Sequence, residues 1–226
     1  MRKLFLGTLF AISASMAVAQ TPPAAPAPAP APAVPAAQPP ATPPAVAVAP
    51  VPVLTSEFFP LVKGASWTYS SGANEVVVKV TEITGSEAKL VTEFGGKSVA
   101  NETISVKPDG IYRTKINDTA IDGGGVKILA LKDGKPTKDE KWAIAAKIQA
   151  SEVKGDFTTK EVGGKLKVPA GDMTDVVVVE GAKFTIANTE TNVKYSFAPK
   201  FGIVKLEYSI QGNANPALEL KSYKDK

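Results

Sequence analysis

Val193-Lys194-Tyr195-Ser196-Phe197-Ala198-Pro199-Lys200-Phe201-Gly202-Ile203-Val204-Lys205-Leu206-Glu207-Tyr208-Ser209-Ile210 is the stretch that decides the fold. Read at period two, Val193, Tyr195 and Phe197 fall on one side and Lys194 and Ser196 on the other. Past a break, Val204, Leu206, Tyr208 and Ile210 oppose Lys205, Glu207 and Ser209. Strands with one dry and one wet face belong to antiparallel sheets.

Working outward, residues 218–223 form a last strand, and residues 165–168 and 174–180 flank a Pro169-Ala170-Gly171-Asp172 turn, with residues 184–187 following. Nearer the front, residues 67–70, 75–84 and 88–94 are separated by Ser71-Gly72-Ala73-Asn74 and Gly85-Ser86 and end at Gly95-Gly96, which is hairpin patterning. Residues 101–106 and 111–116 flank Lys107-Pro108-Asp109-Gly110, with Pro and Gly where a tight turn uses them. Residues 117–125 read as a loop, 126–132 as a strand, and Asp133-Gly134-Lys135-Pro136 as a turn. Residues 137–153 admit two readings. Thr137 with Glu140 fits a helix capping box, whereas Trp142, Ile144, Ala146 and Ile148 share a side at period two, and the strand is preferred over a short helix. No alternation of strand and helix suggests a parallel sheet. The expected fold is an all-β antiparallel meander that covers itself as a barrel, half-barrel or sandwich.

The front of the chain has another character. Residues 1–19 read as a signal peptide: Arg2 and Lys3, an apolar run, then Ala17-Val18-Ala19 as a small-residue cleavage site. That run is too short for the roughly 20 residues of a membrane span. Residues 20–53 are a Pro/Ala-rich arm with no charge between Lys3 and Glu57, in which crowded prolines block helix and sheet and favour a disordered, extended polyproline II linker. The β-domain is expected over residues 54–226, with no further segment apolar enough to span a bilayer.

Composition narrows the functions. The formal charge of +4 includes Arg2 and Lys3, and without them 24 basic residues face 22 acidic ones. Arg113 is the only arginine beyond the leader, whereas phosphate and base recognition rely on the guanidinium fork, so no nucleic-acid partner is expected. The absence of Cys and His removes thiolate nucleophiles, imidazole bases and their metal sites. Neither cofactor nor metal is expected, although Asn117, Asp118 and Asp122 before Gly123-Gly124-Gly125 offer oxygen ligands.

Three blocks carry a resemblance: Phe59-Pro60-Leu61-Val62-Lys63-Gly64-Ala65-Ser66-Trp67-Thr68-Tyr69, Val168-Pro169-Ala170-Gly171-Asp172, and Tyr195-Ser196-Phe197-Ala198-Pro199-Lys200-Phe201-Gly202-Ile203-Val204-Lys205. With them the chain resembles a loose group of bacterial exported and lipoprotein β-domains that open on a Pro-Leu, Gly, Trp-x-Tyr block and close on a Pro, Gly-(Ile/Leu)-Val-Lys block. The resemblance implies an envelope location and an all-β fold, and no reaction. The lipidated cysteine of many such proteins is missing here.

For binding, the candidates are Trp67, Tyr69, Trp142 and Tyr195, which either line a ligand surface or fill a β core. For catalysis no established motif is present. The Ser-x-x-Lys spacings at residues 86–89 and 151–154 lack their partner motifs, and the carboxylate pairs Asp172/Asp175, Asp118/Asp122 and Asp139/Glu140 all fall in expected turns. The expected function is a non-enzymatic binding, spacing or assembly role for an exported domain, periplasmic, cell-surface or extracellular, with envelope proteins or wall polymer as partners. The alternatives are a carrier of a small apolar ligand within a curled sheet and, after it, a carboxylate-dependent glycan hydrolase. An internal cavity lined by Val, Ile and aromatic side chains would favour the carrier.

Overall fold

The computed structural model describes residues 53–54 and 56–225. The expected leader, and the arm apart from Val53, lie outside the described residues. The chain enters through a two-residue pair, β1 (Val53–Leu54) with β2 (Leu61–Val62). It then runs up and down through β3 (Ser66–Ser71), β4 (Asn74–Thr84), β5 (Glu87–Phe94), β6 (Lys97–Lys107) and β7 (Gly110–Ile116). Two short strands, β8 (Thr119–Ala120) and β9 (Val126–Ala130), both pair with β7, and a 3-10 turn at Asp122–Gly124 separates them. The second half comprises β10 (Lys141–Ile148), β11 (Ser151–Val168), β12 (Gly171–Ile186), β13 (Thr189–Ala198), β14 (Gly202–Ile210), β15 (Asn213–Ala214) and β16 (Leu218–Lys224).

All pairings are antiparallel, and the order along the sheet is β10-β11-β12-β13-β14-β16-β3-β4-β5-β6-β7. The last strand, β16, lies between β14 and β3 and so joins the two halves. The two edges of the sheet then face each other. Ile121 bridges Ile148, and the Trp142 indole N–H donates to the Lys127 carbonyl at 2.9 Å. The result is a nearly closed barrel, which resolves the choice between barrel, half-barrel and sandwich.

Inward residues fill most of the interior. Trp67 and Tyr69 on β3 stand opposite Val78 and Val76 on β4, and on the far wall Tyr195 and Phe197 alternate with outward Lys194. A second aromatic group forms where Trp142 stacks on Phe157 and Phe157 meets Phe184 edge-on at 5.4 Å. Gly181 makes room for it, since a Cβ there would lie 2.7 Å from both Phe157 Cζ and Val193 Cγ1. The Phe59-Pro60-Leu61 block closes on the same core: Phe59 stacks on Trp67, whose indole N–H donates to the Phe201 carbonyl. The exterior is charged, with cross-strand pairs such as Lys79–Glu93 at 2.8 Å and Lys205–Glu219 at 3.0 Å. Membrane barrels present the opposite pattern, apolar outward. No helix among the described residues is long and apolar enough to cross a membrane.

Some expected boundaries change. Residues 137–153 do not form a helix: β10 ends at Ile148, the chain turns, and Ile144 and Ala146 are buried while Lys141 and Lys147 face outward, so period two prevails. Where β11 runs for 18 residues, the sequence leads one to expect strand only at its two ends, up to Val153 and over residues 165–168. Its register with β12 shifts four times between Lys154 and Leu166, and each bulge breaks the alternation. Residues 174–180 and 184–186 belong to one strand, β12, which passes through Gly181, and Ala187 falls in the turn after it. Asp172 and Asp175 therefore lie on a strand and not in a turn.

Candidate functional site

Strand register determines what faces the space the core leaves unfilled. On β5 and β6, Leu90 stands directly opposite Glu102, so Glu102 lies in phase with inward Ile104 and points into the barrel. Ile104 in turn pairs with Arg113 on β7. The single arginine beyond the leader is thus an interior residue, 6% exposed. The Arg113 Nε–H donates to Glu102 Oε2, and the guanidinium also interacts electrostatically with the Tyr195 hydroxyl. Tyr195 sits on β13, with six strands between it and β7 along the sheet, so this interaction spans the barrel interior.

Beside this polar contact lies a cavity of about 130 Å³. Its walls include Trp67, Tyr69, Val76, Leu90, Tyr195 and Leu206, with Glu102 and Arg113 as its only charged lining residues. Val99 and Ala100 at the start of β6 also line it, and Val99 is 44% exposed, so the cavity reaches the surface there.

Burial sets the electrostatics. Desolvation by itself would lower the Arg113 pKa, but the Glu102 charge with the Tyr195 contact more than offsets it and holds the guanidinium above its ordinary value. The Tyr69 phenol is pushed well above its usual range by burial first and by the charge of Glu102 second. Its hydroxyl donates to the Ile203 carbonyl at 2.9 Å. Burial also raises Tyr195, against the opposing pull of Arg113. Both phenols are neutral at physiological pH, leaving one cation and one anion in the cavity wall.

Of the four aromatic candidates, Trp67, Tyr69 and Tyr195 come together around this cavity. Trp142 does not, because it belongs to the seam between β9 and β10. Asp172 and Asp175 are exposed and border a separate polar depression with Glu57 and Lys200. The acidic loop before the three glycines is used internally: Asp118 pairs with Lys89 at 2.9 Å, and Asn117 Oδ1 accepts the Asn101 backbone N–H at 3.0 Å. Among the described residues no cluster of three or more acidic side chains could hold a metal. Glu102 and Arg113 were not singled out as a pair from the sequence. The available signal was Glu102 occupying a position in step with Ala100 and Ile104, and Arg113 one in step with Ile111.

No family model matches the chain, and no curated protein matches it either. Two solved structures are similar. One, from Bacteroides fragilis, is described as an exported protein with a YmcC-like fold; it is 16% identical, with a TM-score of 0.49, over 75% of this chain and 100% of that one. The other, described as a lipoprotein of Parabacteroides distasonis, is 12% identical, with a TM-score of 0.47, over 75% of this chain and 99% of that one.

Proposed function

We propose that the protein is an exported, non-enzymatic domain that holds a small, mainly apolar molecule inside its barrel. Export is supported by the leader at residues 1–19, and the Pro/Ala arm at residues 20–53 is read as a spacer between the front of the chain and the β-domain at residues 54–226. The observation that carries the binding role is the aromatic-walled cavity beside Tyr69 and Tyr195, concave and largely apolar with a few convergent polar groups, as small-molecule sites are. Its volume of about 130 Å³ is close to that of an engineered apolar cavity of roughly 150 Å³ that takes up benzene. The sequence supplies no thiol or imidazole, and the cavity's two ionised groups are bound to each other, which supports binding over catalysis.

Trp67 reports on the cavity directly. In a Trp142→Phe variant of the full chain it is the only tryptophan, and titration with toluene is expected to give a saturable change in its emission. Val76→Phe, which fills the cavity, is expected to abolish that change while far-UV circular dichroism stays barrel-like. A Trp67 emission that toluene leaves unaltered would overturn the binding role.

A further inference from the structure

We propose that the cavity selects uncharged ligands, about one aromatic ring in size and carrying a single hydroxyl or carbonyl, and rejects carboxylates and ammonium ions. The inference rests on the reading of the cavity as a ligand site. Its basis is the composition of the polar lining: one acid, Glu102, one base, Arg113, the uncharged Asn101, and the hydroxyls of Tyr69, Tyr195 and Thr92.

A lone buried arginine in an apolar cavity would attract an anionic head group. Here that role is already taken from within the chain, because Glu102 accepts the Arg113 Nε–H and supplies the counter-charge, with the Tyr195 hydroxyl interacting beside them. An incoming carboxylate would have to share or displace Glu102, and either way one carboxylate is left buried without a full counter-charge, which is strongly unfavourable. An ammonium ion meets the same obstacle, since Glu102 is committed to Arg113. A hydroxyl or carbonyl adds no charge and can bond to the phenolic, hydroxyl and carboxylate groups of the wall. Glu102 is the more accessible partner, its side chain 22% exposed against 8% for Arg113.

The test uses the full chain and four probes of similar size, with isothermal titration calorimetry as the readout: toluene, benzyl alcohol, benzoate and benzylammonium at neutral pH. Benzyl alcohol is expected to bind at least about tenfold more tightly than benzoate or benzylammonium. Glu102→Gln removes the internal anion, and benzoate is then expected to gain at least about tenfold while benzylammonium gains nothing. Benzoate binding to the unmodified protein as tightly as benzyl alcohol, with toluene also bound, would overturn charge selection and leave the cavity reading in place. Failure of toluene and benzyl alcohol alike would remove the cavity reading and this inference with it. Should Glu102→Gln not fold, the ranking of the four probes on the unmodified protein decides the matter alone.

Discussion

At the scale of single residues, a buried guanidinium depends on its neutralising partner. Removing one member of such a pair typically costs about 3–5 kcal/mol, because the other is left charged and unpaired, whereas replacing both by apolar groups is often neutral or better. Glu102→Leu is accordingly expected to lower stability by about 3 kcal/mol in urea titration, and the double variant Glu102→Leu/Arg113→Met to recover most of that loss. A double variant as unstable as Glu102→Leu would mean that the pair holds the barrel walls by more than its charge. Tyr69 gives a prediction at the other end of the pH scale. Its folded-state pKa lies above the ordinary 10.0, so below pH 10 both folded and unfolded chains keep the proton and no stability depends on it. Above pH 10 the unfolded chain loses the proton first, and stability falls as pH rises. Thermal melts from pH 9 to 11 are expected to show that fall, and Tyr69→Phe to lessen it, with raised phenols such as Tyr195 keeping the remainder, while losing about 1 kcal/mol at neutral pH with the Ile203 hydrogen bond.

At the scale of elements, β11 and β12 depend on glycine to bring large rings close to the backbone. At Gly155 and Gly181 a methyl group would collide with Phe184 and Phe157 respectively. Gly181→Ala is expected to destabilise by about 1–3 kcal/mol through overpacking, and Phe157→Leu in the same chain to relieve part of it. Additive losses in chemical denaturation would show that the collision is absorbed elsewhere. These same strands were the least legible in the sequence. Hairpins built on strong turns, such as Lys107-Pro108-Asp109-Gly110 between β6 and β7, could be read directly because Pro and Gly mark them. In β11, lysine, glutamate and glycine surround repeated bulges, and each extra residue inverts the inside-outside phase on which the reading depends. The aromatic wall was half legible. Trp67, Tyr69 and Tyr195 were visible as large side chains on strands, but their convergence with Arg113 depends on pairings far apart in sequence.

At the scale of the whole β-domain, the ring is held by its last strand. β16 pairs with β14 on one side and β3 on the other, and Leu220, fully buried, contributes its carbonyl to the Ala170 N–H at 2.9 Å. A chain ending at residue 217 is expected to lose its cooperative thermal transition and its near-ultraviolet circular dichroism, because the sheet splits where β16 had joined it. Adding a synthetic peptide of residues 218–226 is expected to restore both signals, and a truncated chain that melts like the full one would show that β16 is dispensable. Ser70 and Glu219, in contact across that join, are 149 residues apart. Contacts at such separation form slowly, since the loop must be closed before it is rewarded. A nascent polypeptide leaving the ribosome therefore carries an open sheet until residues 218–224 have been made. For the export proposed above this delay keeps the chain threadable, because the fastener that closes the ring is made after every other strand of the sheet.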